Sequence, residues 1–192
     1  MIHQHQSKTI ALFGGSFDPI HRAHVMVVLW ALQSRGIDQV IVVPTFRHAF
    51  GKTYDATFAQ RMEMCRLALA DFPVDRVVLS NIEEVRGGTS YMIQTLECLQ
   101  ESMPDCRFRL IVGSDISAEV PTWYEGEKLM QLAPLLQVPR PSQGALLEPG
   151  MLPHISSSEV RQSLAEGRPV SHLLSAAVED YITANGLYNA QL

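Results

Sequence analysis

Short apolar runs alternate with amphipathic stretches along the chain. Thr9–Phe13 (TIALF) stops at Gly14-Gly15 and predicts a buried strand. Arg22–Arg35 is rich in helix formers, and Gly36 is placed to end that helix. Val25, Met26, Val28, Leu29, Trp30 and Leu32 leave it little polar face, so it is expected to be mostly buried. Gln39–Val43 predicts a second strand closed by Pro44, and Phe46–Ala56 a loop carrying Arg47, His48 and Lys52. Thr57–Asp71 reads as an amphipathic helix with Phe58, Met62, Cys65 and Leu69 on one side. Arg76–Leu79 follows as a third strand, then Arg86–Thr89 as a glycine-rich loop, with Ser90 capping a helix to Met103. Arg107–Val112 is a fourth strand ending at Gly113, Trp123–Gln131 a short helix and Leu135–Val138 a fifth strand. Pro139–Pro153 reads as a loop, and Ser156–Glu166 and Ala176–Ala184 as the last helices.

β-branched strands alternating with helices imply an α/β fold, with a doubly wound parallel sheet of about five strands covered on both faces. No repeat or linker divides the chain, so residues 1–192 are expected to form a single domain, with a small C-terminal helical part over 155–192. Ligands of such sheets bind outside the carboxyl ends of the strands. Three predicted strands end there in the segments GGSFDPIH, PTFRHAFGK and GSD.

Composition adds exclusions. Of 192 residues, 46% are hydrophobic and 18% charged, which excludes wholesale disorder. Lys+Arg 15 against Asp+Glu 20 gives a net charge of −5, which argues against broad nucleic-acid or membrane binding but not against a local phosphate site. Cys65, Cys98 and Cys106 form no C-x-x-C pair and suit reduced thiols. The start MIHQHQSK has no apolar signal core and no stretch is long enough to span a membrane, so a cytoplasmic protein is expected. His3 and His5 read as part of a frayed tail.

Candidate chemistry concentrates in two segments. In Gly14–His24 (GGSFDPIHRAH), the glycines allow a sharp turn and close approach to a ligand. Asp18 then Pro19 reads as an N-cap and first helical residue, whose free N–H groups would favour an anion. His21 and His24 share a helix face, and imidazoles there suit a phosphate that gains charge during reaction. A zinc pair lacks a nearby third ligand. The G-x-G-x-x-G dinucleotide fingerprint is absent. In the second segment, Ile155–Arg161 (ISSSEVR), Ser156 with Glu159 fits a capping box. Ser157 and Ser158 add hydroxyls, and Arg161 can fork onto phosphate oxygens.

GGSFDPIH-x-x-H together with ISSSEVR resembles the two signature motifs of the H-x-G-H nucleotidylyltransferases, and is most similar to the bacterial nicotinate-nucleotide adenylyltransferase family. TSYMIQTL from Thr89, VGSDISAEVPTWY from Val112 and YITANGLY from Tyr181 extend the resemblance over Thr9–Tyr188. The resemblance implies a Rossmann-like fold and transfer of the adenylyl group of ATP to nicotinate mononucleotide, giving deamido-NAD and pyrophosphate in NAD biosynthesis. It implies His21, His24 and Arg161 as catalytic residues, and Gly14, Gly15, Ser16, Phe17, Gly113, Asp115, Ile155, Ser156, Ser157 and Ser158 on the ATP side. Lys52, Thr89, Ser90, Trp123 and Tyr124 fall on the mononucleotide side, with Trp123 stacking on the pyridine. Mg²⁺ is expected to arrive on the ATP phosphates rather than in a protein cage, and a homodimer is left open. Two positions depart from the family pattern: Ala23 replaces a glycine and Met92 a threonine. They hint at a non-catalytic nucleotide-binding or sensing module, and a nicotinamide-mononucleotide or pantetheine-phosphate adenylyltransferase stays open beside it.

Overall fold

The computed structural model describes residues 7–49, 51–139, 151–153 and 155–189. His3, His5 and residues 140–150 of the Pro139–Pro153 loop lie outside them. Strands β1 (Thr9–Gly15), β2 (Gln39–Pro44), β3 (Val77–Leu79), β4 (Arg107–Gly113) and β5 (Leu135–Val138) pair in parallel, in the order β3-β2-β1-β4-β5. Because strand side chains alternate, the apolar runs feed two cores. Ala11, Phe13, Val40, Val42 and Ile111 face one layer, and Ile10, Leu12, Ile41, Leu110 and Val112 the other.

The first layer packs on helices α1 (Arg22–Gln33), α2 (Phe58–Ala68), α6 (Ser157–Ala165) and α7 (Ala176–Ala184). The C-terminal helices share this core through Val160, Val178 and Ile182. The second layer packs on α4 (Met92–Ser102) and α5 (Gly126–Leu132). A short α3 (Ile82–Arg86) and a 3-10 helix, Ser117–Thr122, complete the described elements. The sheet order reverses between β1 and β4, which opens a crevice at their carboxyl ends.

Several local expectations are corrected. Asp18 and Pro19 do not begin α1: His21 is its N-cap and Arg22 its first residue. Asp18 is instead drawn inward, 3% exposed, by backbone donors from another loop. Helix α1 ends earlier than expected, at a Ser34 C-cap, and Gly36 lies in the following turn at φ 79°. Its face is not wholly covered, since Leu29 is 51% exposed. Ser90 does not cap α4; Tyr91 occupies that position, while the Ser90 hydroxyl oxygen accepts from the Phe46 and Arg47 N–H groups. The expected helix from Trp123 is split. Pro121 lies in the 3-10 helix, Trp123 is extended, and Glu125 is left-handed at φ 50° before α5 begins. Gly126 is required there, because a Cβ would run into the Val120 carbonyl.

The turn after β1 is tied to the turn after β2 by Arg61, on α2 and 1% exposed. Its Nη1 donates to Ser16 O at 2.7 Å and its Nη2 to Thr45 O at 2.8 Å, and its guanidinium lies 4.0 Å over the Tyr54 ring. Replacing Arg61 with Ala leaves two carbonyls without donors and voids the space between the turns. We expect a loss of about 3 kcal/mol, read as a lowered urea midpoint at unchanged slope. A midpoint indistinguishable from the native protein contradicts the role of Arg61 as the tie between the turns.

Candidate active site

Two adjoining cavities lie at the carboxyl ends of β1 and β4, of about 560 Å³ and about 160 Å³. Gly14, Met92, Ile116 and Trp123 line both. A Cβ at Gly14 would fall on the Met92 methyl group, which would have to swing aside. Gly15 is held to the same economy by the Phe17 ring, whose Cζ would lie 2.9 Å from a Cβ there. Phe17 tucks back in a left-handed conformation, φ 48°, which costs on the order of 1–3 kcal/mol for a non-glycine residue.

That strained turn shapes the histidine pair. The Phe17 ring meets His24 edge-on at 4.9 Å, and His24 stacks on His21 with centroids 3.6 Å apart. The His21 N–H donates to His24 Nδ1 at 3.3 Å. With Nδ1 as acceptor, neutral His24 carries its proton on Nε2. His24 lines the smaller cavity at the N-terminus of α1, where the helix dipole also favours an anion. Ala23 is fully buried and lines neither cavity, so its methyl group does not intrude on the cleft.

Under the turn lies a second set of contacts. The Asp18 carboxylate accepts from Asp55 N–H (2.9 Å), Ala56 N–H (3.2 Å) and the Tyr188 hydroxyl (2.6 Å). Burial and the bond to Asp18 push the Tyr188 phenol well above its usual pKa. Burial pulls the Arg61 guanidinium below its usual pKa, opposed by Tyr54 and Asp18. Ser156 caps α6 by accepting from Glu159 N–H at 3.1 Å. Ser157 donates its hydroxyl to Pro19 O at 2.9 Å, and Arg161 Nη1 donates to Asp18 O at 2.7 Å. Arg161 Nε pairs with Asp55 at 2.7 Å. The second motif therefore meets the first at its backbone, and Ser158 beside it is exposed.

Residues expected on the mononucleotide side divide. Ser90, Trp123 and Tyr124 line the larger cavity, whereas Lys52 and Thr89 are exposed and line neither cavity. On the ATP side Gly14, Gly15, Ser16 and Gly113 line the cavities. Asp115 is exposed and, like Ile155 and Ser156, lines neither. Sequence reasoning gave no site role to several further lining residues, among them His48, Glu83 and Tyr91. His48 is joined to Ser90 by a backbone bridge, a pairing no local pattern announces. Burial and the nearby Lys52 hold its imidazole below the usual pKa. Tyr91 packs on Tyr124 with centroids 4.4 Å apart, and the serine-tyrosine pair before α4 was its only signal.

The cytidylyltransferase-like family profile matches residues 12–163. A protein of Anaeromyxobacter dehalogenans named "Probable nicotinate-nucleotide adenylyltransferase" is 43% identical over 94% of this chain and 97% of its own. A Thermus thermophilus protein of the same name is 39% identical over 93% and 98%. The fold is also that of the Plasmodium falciparum nicotinic acid mononucleotide adenylyltransferase solved with NaAD, with a TM-score of 0.78, 24% identity and coverage of 94% and 97%. The chain belongs to the cytidylyltransferase-like family, in the branch whose members carry the name nicotinate-nucleotide adenylyltransferase.

Proposed function

We propose that this chain transfers the adenylyl group of ATP to nicotinate mononucleotide, releasing deamido-NAD and pyrophosphate, as one domain working in the cytoplasm. One observation carries the reading. Two cavities meet at Gly14, beside a helix N-terminus fronted by His24. A dinucleotide has two ring systems joined through phosphates, and the cleft offers two spaces joined at an anion-favouring turn. Relatives at 43% and 39% identity bearing the corresponding name support the same substrates.

An oxygen of the mononucleotide phosphate attacks the α-phosphorus of ATP. A new P–O bond forms, the bond to the β-phosphate bridge breaks, and pyrophosphate leaves with its electron pair. No protein nucleophile takes part, so the chain contributes position and charge stabilisation. His24 donates from Nε2 to phosphate oxygens, and His21 holds the ring that does so. Gly113, in the wall of the smaller cavity, lies on the adenosine side. Arg161 exchanges exposed Asp55 for the β- and γ-phosphates, helped by Ser157 and Ser158. Lys52 reaches the mononucleotide phosphate from its loop. Mg²⁺ enters as part of the substrate, on the ATP phosphates; among the described residues no three His, Cys, Asp or Glu side chains converge as ligands.

The acid, rather than the amide, is the expected pyridine. The Ser90 N–H is spent on Arg47 O at 2.8 Å. Helix geometry leaves the Met92 and Ile93 N–H groups at the start of α4 without intrahelical acceptors, and Tyr91 and Met92 line the larger cavity. Donors suit a carboxylate, whereas an amide turns its own N–H₂ toward some of them, at ~1–3 kcal/mol per unpaired group.

Pyrophosphate release from ATP and nicotinate mononucleotide tests the activity, and its absence at high protein concentration sinks the reading. His24→Ala is expected to lower kcat by ~10²–10³ in a folded protein, because its contact strengthens as charge grows on the phosphates. An unchanged kcat removes His24 from the assignment. The native enzyme is expected to prefer the acid by roughly tenfold in kcat/KM, and Trp123→Ala to raise KM for both mononucleotides at a nearly constant ratio. Equal use of acid and amide by the native enzyme contradicts the carboxylate-reading pocket.

A further inference from the structure

Glu83, on α3, is 3% exposed and lines the larger cavity. Its Oε2 accepts from Phe46 N–H at 3.0 Å and its Oε1 from the Thr95 hydroxyl at 2.9 Å. Both oxygens are thus held by hydrogen bonds, and the carboxyl group stays at the cavity wall. Among the described residues, no lysine, arginine or histidine forms an ion pair with it. A carboxylate buried without a cation is costly, and a cavity wall is where a ligand can supply the missing charge. The same cavity is bounded by Tyr91, Trp123 and Tyr124, whose ring faces attract organic cations. One buried anion and three aromatic rings around one space describe a site for a flat cation.

We infer that Glu83 is the counter-charge for the ring of the substrate, a pyridinium alkylated on nitrogen, and so a specificity-determining residue for the oxidised, cationic ring. This rests on the reading under Proposed function. The substrate is then recognised as a zwitterion. Its carboxylate faces the N–H groups at the start of α4, and its ring nitrogen the Glu83 carboxylate. A reduced mononucleotide has the same carboxylate and phosphate but a neutral dihydropyridine ring. It loses the attraction to Glu83 and to the aromatic faces together.

Glu83→Gln separates charge from architecture. The amide oxygen can still accept from Phe46 N–H, and the amide N–H₂ can donate to the Thr95 hydroxyl oxygen. The experiment measures Kd of oxidised and reduced nicotinate mononucleotide by calorimetry, and turnover by pyrophosphate release, for native protein and variant. Native protein is expected to bind the oxidised form at least roughly tenfold more tightly than the reduced one. The variant should weaken oxidised-form binding roughly tenfold, bring the two forms within a few-fold, and leave KM for ATP and the acid-to-amide ratio near native. Equal loss for both forms means that Glu83 only holds the loop at Phe46, and overturns the inference. Equal native Kd values overturn it as well, and need no folded variant. Selective binding of the oxidised form without turnover would sink the adenylyl-transfer reading and leave the cation site standing. Turnover with equal Kd values would do the reverse.

Discussion

Two buried, oppositely charged side chains beneath one turn fix the rest of the site. Arg61 reaches up from α2 to the carbonyls of Ser16 and Thr45, and Asp18 reaches down to the N–H groups of Asp55 and Ala56. Neither charge spends its hydrogen bonds on the other. Each ties together segments that leave different strands, so the ends of β1 and β2 and the loop before α2 keep one relative placement. Leaving either group unpaired in the core would cost more than most single contacts contribute. The turn is thereby over-determined, which is the condition for holding Phe17 in a left-handed conformation and, through its ring, His24.

The C-terminal part of the chain converges on the same turn. Arg161 and Ser157 of α6 donate to the carbonyls of Asp18 and Pro19, and Tyr188, beyond α7, donates to the Asp18 carboxylate. Val160 and Val178 anchor those helices in the core that also holds Phe13 and Phe17. The second sequence motif therefore has a structural duty before any ligand arrives. Arg161 also pairs with Asp55, whose side chain is largely exposed while its own is mostly covered.

Much of the architecture was legible in the sequence, because four of the five strand runs end at a glycine or proline and most intervening segments have helical period. The histidine pair and the serine-arginine motif were legible as local patterns too. What was hidden is tertiary. Asp18 before Pro19 looks like a helix cap in isolation, and only the distant Asp55 and Ala56 amides pull it elsewhere. Ser90 looks like a cap for the same reason, and loses that role to the Phe46 and Arg47 amides. Glu83 sits in a single-turn helix too short for periodicity to reveal its buried side, and His48 is drawn beside Ser90 across the chain. Lys52, placed on the mononucleotide side by resemblance alone, lies on an exposed loop beside the cavities rather than in their walls.

The central claim is that one turn, braced from below, presents an anion site between two ring-sized spaces. A crystal structure of the protein with deamido-NAD tests it most directly. The account predicts the pyridine in the larger cavity against Trp123, the adenosine in the crevice by Gly113, and the diphosphate over His24 at the start of α1. A dinucleotide bound with its phosphates away from His24, or outside the cleft between β1 and β4, would contradict it.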